Sequence, residues 1–303
     1  MFVPSAACRS CVGHLTYNSS LSSTYEANGT EVHEHYGGLY SDGFVSVDTV
    51  TVGEGLEIKH QPFEEATSWR PVPGYWEGAF DSVLGLAVED PIYDDPYVPH
   101  VLPGPFSTLA KQGTLDENMF SLLLPLGDHD LGDIMFGGYD EELFEGELSA
   151  HPMYPSNTTH WQVETTAVYL EHPDGSTLAN LSLAGFSAIL EVGYPFIELP
   201  EKRGESIINA IIARGRGDDS CHTPHVPCDE VSDLPLLTFN LAGRNFTLTG
   251  EDYIVRTQLP FCGEDVYCVP MVGETRSSDV ILLGSTFLKH FYSVYNLDKR
   301  TIY

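Results

Sequence analysis

Phe80-Asp81-Ser82-Val83-Leu84-Gly85-Leu86, and near the C-terminus Asp279-Val280-Ile281-Leu282-Leu283-Gly284-Ser285, are two short apolar runs that end on an apolar-apolar-Gly step. Each reads as a buried strand closing on a glycine, and each lies toward the end of one half of the chain. By itself this echo is weak support for duplication. The intervening sequence has the same β character. Alternating runs such as Phe44-Val45-Ser46-Val47-Asp48-Thr49-Val50-Thr51-Val52 and Leu237-Thr238-Phe239-Asn240-Leu241 are separated by Gly, Pro, Asn and Asp. Helical periodicity is confined to about Lys202 to Arg214, where Ile207, Ile208, Ile211 and Ile212 make one apolar stripe, and to a shorter candidate starting near Phe106. The expectation is a mainly β framework with few short peripheral helices.

Composition narrows the partners. Against 14 Lys plus Arg stand 44 Asp plus Glu, a formal charge of −30 that repels phosphate backbones and anionic lipid alike. Nucleic acid is excluded as a natural partner, and no run reaches the length of a membrane span. Acidity of this size reads first as a solvated surface and second as adaptation to low pH.

Six cysteines, Cys8, Cys11, Cys221, Cys228, Cys262 and Cys268, form an even set that suits disulfides. Asn18, Asn28, Asn157, Asn180 and Asn245 each open an Asn-X-Ser/Thr sequon, five of nine asparagines where chance gives roughly one in eight. Together they point to a secreted, secretory-pathway or vacuolar protein. Met1-Phe2-Val3-Pro4-Ser5 is neither basic nor apolar enough for a secretory signal, so the expectation is that one lies upstream.

A longer series of motifs carries a family resemblance. Tyr17-Asn18-Ser19-Ser20-Leu21-Ser22-Ser23-Thr24-Tyr25, Tyr36-Gly37 with Asp48-Thr49-Val50, Phe80 to Ala87, Phe136-Gly137-Gly138-Tyr139-Asp140, His160-Trp161-Gln162-Val163, Leu234-Pro235 and Ile281-Leu282-Leu283-Gly284 follow in order. The series resembles the pepsin-like aspartic peptidases over essentially the whole chain. The resemblance implies a bilobal acid-protease fold with a cleft between the lobes, residues 1–148 forming the N-terminal lobe and 149–303 the C-terminal one. It also implies a flap over an extended peptide, and two Asp-Thr/Ser-Gly loops whose paired aspartates share a proton and a water. Such a pair works because neighbouring carboxyls cannot both ionise, which leaves one as base and the other as acid.

This chain departs from that pattern at both loops. Met1-Phe2-Val3-Pro4 matches the stretch just after the first loop, so the first aspartate is expected to precede residue 1. In the second, Glu191-Val192-Gly193-Tyr194-Pro195 stands where the family has Asp-Thr-Gly-Thr-Ser. Glu191 keeps a carboxyl but displaces it by more than ~1 Å, on the order of a hundredfold in rate where geometry is tight. Val192 lacks the bracing hydroxyl, and Tyr194 and Pro195 replace small hydroxyl residues. Without the resemblance Glu191 would be an ordinary loop carboxylate.

The implied substrate-binding positions are Tyr36, Gly37, Gly38, Phe106, Gly193 and Tyr194. Tyr36 falls at the flap tyrosine, Phe2 at a tryptophan that in the family donates to it, and Phe106 at a pocket aromatic. Cys8-Arg9-Ser10-Cys11 has a zinc-knuckle look but no fourth ligand, and a local disulfide is the family's pattern there. The pairing of the four late cysteines stays open among three possibilities. Histidines 33 and 35 would share a strand face, and Arg216-Gly217-Asp218 spells an adhesion tripeptide; both read as incidental.

No metal or cofactor is expected, and a monomer is. The leading expectation is a catalytically inactive homologue with a peptide-binding cleft. The alternatives are an active secreted aspartic endopeptidase whose first Asp lies upstream of the assigned start, and a truncated product without function.

Overall fold

The computed structural model describes residues 1–36, 39–53, 55–71, 80–88, 102–127, 130–212, 223–259, 265–275 and 279–303. The chain divides into two compact units, Met1–Asp116 and Glu117–Tyr303. Mainly β structure, with short helices, matches the expectation from periodicity.

The first unit holds β1 (Phe2–Pro4), β2 (Glu26–Tyr36), β3 (Leu39–Val52), β4 (Leu56–Pro71) and α1 (Pro105–Gln112). The strands form one sheet in the order β1-β4-β3-β2, with β1 parallel to β4 and the others antiparallel. At the bulge after Asp42, β3 passes so close to β4 that a Cβ on Gly43 would lie 2.3 Å from the Glu65 carbonyl oxygen. Only glycine fits there. Ile58, Phe63, Phe106 and Leu109 are buried beneath the sheet and helix. The helix starts where Pro105 follows Gly104 and stops at Gly113, which takes the left-handed φ of 68° that ends helices.

The Tyr17 to Tyr25 segment is tied down through one carboxylate. Asp48 accepts from the hydroxyls of Thr24 (2.5 Å), Tyr17 (2.6 Å) and Ser22 (3.0 Å), and from the Thr49 N–H (2.7 Å). Burial alone would raise its pKa, but these donors hold it below the usual carboxylate value. The motif is therefore a structural brace.

The second unit contains β5 (Met119–Leu123), β6 (Asp133–Phe136), β7 (His151–Pro152), β8 (Gln162–Glu171), β9 (Thr177–Leu190), β10 (Ile197–Pro200), α2 (Glu205–Ile212), β11 (Leu236–Leu241), β12 (Arg244–Leu248), α3 (Gly250–Tyr253), β13 (Ile254–Gln258), β14 (Val266–Pro270), β15 (Val272–Thr275), β16 (Val280–Leu283), α4 (Ser285–Leu288), β17 (Ser293–Asn296) and β18 (Thr301–Ile302). Seven of these strands make a sheet in the order β12-β11-β8-β9-β16-β10-β15, and five make another in the order β6-β5-β17-β18-β7. In the second sheet Phe120 stacks on Tyr295 at 4.7 Å and meets Trp161 edge-on at 5.7 Å. This joins residues 119–136 to the C-terminal strands. In α2, Ile207 and Ile211 are fully buried, as the apolar stripe requires; residues 202–204 form a turn ahead of it, so the helix starts later than periodicity suggests.

Candidate functional site

The Glu191 loop is placed by strand order. β9 and β10 are consecutive in the chain, yet β16 lies between them, parallel to β9 (Leu283↔Leu190) and antiparallel to β10 (Leu283↔Ile197). The segment 191–196 must therefore pass around the end of β16. Backbone bonds fix it there: the Glu191 N–H donates to Leu283 O (3.1 Å), Gly284 N–H to Phe196 O (3.1 Å), and Ser285 N–H to Tyr194 O (2.7 Å). A Cβ on Gly284 would lie 2.2 Å from Tyr194 O and 2.3 Å from Phe196 O. The glycine of the apolar-apolar-Gly step is thus required by close backbone approach.

The side chains on this fixed loop make local hydrogen bonds. Glu191 is exposed, and its Oε1 accepts from the N–H of Gly193 two residues on (3.1 Å). Tyr194 N–H returns to Glu191 O at 3.2 Å, closing a tight turn. The Tyr194 hydroxyl donates to Glu198 Oε1 at 2.6 Å, so the residue that replaces a small hydroxyl group is held by a carboxylate on β10. Val192 is 40 % exposed and offers no hydroxyl. Nearby Tyr295 is buried, and burial, with a smaller contribution from Glu191's charge, lifts its phenol to about 12.

Of the other residues singled out on sequence, the structure places some and leaves others aside. Tyr36 ends β2, paired through its backbone with Leu39. Gly37 and Gly38 lie outside the described residues, as do Cys221, Cys262 and residues 216–218. Phe106 is fully buried in α1. Phe2 is fully buried and meets Trp69 edge-on at 5.7 Å, part of a cluster with Cys11.

Cys8 and Cys11 are joined by a disulfide, which disposes of the zinc-knuckle reading. Cys228 and Cys268 form a second, and that selects one of the three pairings the sequence left open. Among the described residues no group of three or more His, Cys, Asp or Glu side chains is arranged to hold a metal. His33 pairs instead with Asp42 at 2.8 Å, and Arg70 bonds the same carboxylate at 2.7 Å. All five sequon asparagines are exposed.

Sequence reasoning missed Glu64. It is 1 % exposed in β4, its Oε1 accepts from Ser41 Oγ (2.6 Å), and its Oε2 has no partner. Burial drives its pKa up to about 7, with Glu34 and Asp42 adding and the Ser41 hydroxyl and the Met1 amine opposing. The signal was legible as two adjacent glutamates, Glu64 and Glu65, inside a strand, which puts one on each face. Glu65 is satisfied by Ser5 (2.6 Å) and Ser46 (2.7 Å).

A mainly β chain in which a glycine-ended strand lies between two consecutive strands, their connecting loop passing around its end, has the fold class that the resemblance implies. The family model "Eukaryotic aspartyl protease" matches residues 1–303. A vacuolar aspartic protease of Candida albicans is 35 % identical over all of this chain and 68 % of its own length. Vacuolar protease A of Aspergillus fumigatus is 35 % identical over all of the chain and 71 % of its own length, and cathepsin D of Gallus gallus 31 % over all of the chain and 73 % of its own. The chain belongs to the eukaryotic aspartyl protease family. Membership implies a peptide-binding cleft; no helix among the described residues is long and apolar enough to cross a membrane.

Proposed function

We propose that this chain is a non-catalytic member of its family that binds extended peptides without cleaving them. The observation that carries the reading is the loop Glu191-Val192-Gly193-Tyr194-Pro195: its backbone clamp is intact, while its carboxyl is exposed, lengthened and bonded to its own turn. General acid-base hydrolysis needs two carboxyls pushed to opposite protonation states. A water-exposed carboxyl bonded to its own turn and braced by no hydroxyl from Val192 does not meet that need. Tyr36, Gly37, Gly38, Gly193 and Tyr194 are the positions proposed to face the peptide; Phe106, fully buried in α1, is assigned to the core instead. Binding would be by strand addition with side-chain pockets.

The test is the purified chain mixed with a statine-containing peptide and, separately, with denatured casein at acidic pH. Saturable binding of the statine peptide in a calorimeter with no casein fragments is the expected result. Fragments that disappear on adding the statine peptide would overturn it.

A second reading, an active endopeptidase, draws on one observation. The Glu191 carboxyl still accepts from the glycine N–H of its turn, so a carboxylate remains at the position. On that reading a Glu191→Asp change raises the rate of casein cleavage; on ours it leaves the rate at background.

The exposed sequons, the disulfides Cys8–Cys11 and Cys228–Cys268 and the vacuolar names of the fungal relatives support a glycosylated protein of the secretory pathway or vacuole.

A further inference from the structure

The loop after β1 carries a disulfide whose two cysteines are unequally placed. Cys11 is 4 % exposed and packs with Phe2 and Trp69, whereas Cys8 is half-buried at the edge of that cluster. Cys8 is the sulfur with access to solvent, the arrangement in which the first cysteine of a Cys-x-x-Cys pair is attacked and the second resolves.

Ser10 serves the outer sulfur. Its Oγ accepts from the Trp69 N–H at 2.8 Å and lies 3.5 Å from Cys8 Sγ at an exposed position. A disulfide sulfur has no hydrogen, so Ser10 is the donor across that contact. The contact becomes a charge-assisted bond when Cys8 is released as a thiolate. Arg9, exposed and adjacent in sequence, adds a positive charge that favours the same thiolate.

The loop does not need the disulfide to keep its place. Cys8 N–H donates to Ser5 O (2.9 Å), His14 N–H to Cys11 O (3.3 Å), and Leu15 N–H to the Asp81 carboxylate (3.0 Å). A disulfide stabilises a fold more the longer the chain it encloses, and the separations are 3 residues here and 40 for Cys228–Cys268. Loop-closure entropy makes the shorter link roughly fiftyfold less important to the folding equilibrium. The reduced pair therefore stays positioned for re-oxidation. Val12 and Leu15, on the same loop, are 84 % and 78 % exposed. Apolar side chains this open beside a reactive pair suit a polypeptide with apolar residues near its cysteines.

We propose that Cys8–Cys11 is a thiol–disulfide exchange centre that oxidises dithiols in polypeptides with apolar residues around the cysteines. A substrate thiolate attacks Cys8 Sγ; the new S–S bond forms as the Cys8–Cys11 bond breaks, and Cys11 leaves as a thiolate that takes up a proton. The substrate's second thiolate then attacks its own sulfur in the mixed disulfide, closing the substrate disulfide and releasing Cys8 as a thiolate beside Ser10. The substrate is oxidised by the electron pair that the cysteines gain, and its thiol protons pass through solvent to Cys8 and Cys11. A low-molecular-weight disulfide such as oxidised glutathione restores the pair by the reverse exchange. The activity does not depend on the Glu191 loop or on the peptide-binding proposal.

The test mixes the oxidised purified chain with a short synthetic peptide holding paired cysteines among leucines, quenches in acid, blocks free thiols with maleimide and maps them by mass spectrometry. Peptide disulfide is expected to appear in step with thiols at Cys8 and Cys11, while Cys228–Cys268 stays closed and circular dichroism stays native. Ser10→Ala should slow the exchange about tenfold, the worth of one bond to a charged sulfur, and Ser10→Thr should restore it. With the chain pre-reduced and the peptide pre-oxidised, Cys11→Ser should trap a mixed disulfide at Cys8, and Cys8→Ser about tenfold less. A peptide with serines in place of the leucines should react several-fold more slowly. An unreacted Cys8–Cys11 disulfide in the folded chain overturns the proposal, as does equal reaction at Cys228–Cys268 or equal trapping by the two cysteine variants. A Ser10→Ala rate equal to wild type would overturn the role of Ser10, and equal rates for the two peptides the substrate assignment.

Discussion

Phe2 in the first unit and Ile197 in the second occupy the same kind of slot. Phe2 pairs in parallel with Glu64 and bridges antiparallel to Val83; Ile197 pairs in parallel with Val272 and antiparallel with Leu283. Both central residues are fully buried. Val83 and Leu283 belong to the two glycine-ended runs, so the echo in sequence corresponds to an echo in pairing. The halves differ in what stands at the parallel neighbour: Val272 on one side, the buried carboxyl of Glu64 on the other. Backbone pairing and an apolar centre suffice to define the slot, and the chemistry beside it is free to vary.

The largest expected effect comes from emptying the two slots in turn. Phe2→Ala should cost about 4 kcal/mol and Ile197→Ala about 3, because each opens a cavity in a fully packed position. Denaturant titration measures both. A cost under about 1 kcal/mol at either would break the parallel between the halves.

Gly284→Ala tests the clamp of the second half. Its Cβ would fall on two backbone carbonyl oxygens that are themselves hydrogen-bonded, so about 3 kcal/mol of destabilisation is expected. A thermal midpoint unchanged from wild type would show that the loop gives way and that the clamp is not rigid.

The smallest effect sharpens the difference between the halves through pH. The folded pKa of Glu64 is raised to about 7 from an ordinary 4.5, so the folded state binds more protons than the unfolded one between those values. This group's contribution is therefore fully present below the unfolded value, declines as pH rises through the interval, and is gone above about 7. Glu64→Gln keeps an acceptor for Ser41 and removes the titration. It should be neutral in acid and stabilise by on the order of 2 kcal/mol at neutral pH. Parallel stability curves for the two proteins from acid to neutral pH would contradict the assignment.

Much of this was legible beforehand for a physical reason. Strand alternation, the Ile207 and Ile211 stripe and a helix start near Phe106 are local patterns, written in neighbouring residues. The departure of the Glu191 loop from the family's pattern was legible too, since Val, Tyr and Pro in place of hydroxyl residues change which hydrogen bonds exist at all. The use of Tyr194 to bond Glu198 was not, because that contact depends on how the loop turns around β16.

By itself, then, the sequence determined the β class, the family and the altered chemistry of the second loop, all properties of residue type and order. Tertiary structure alone decided that Cys228 joins Cys268, that Gly284 admits no side chain, and that Glu64 is buried with one oxygen unpaired. Each of these joins atoms brought together by strand pairing or loop packing, and burial and close approach between such atoms exist only once the chain has folded.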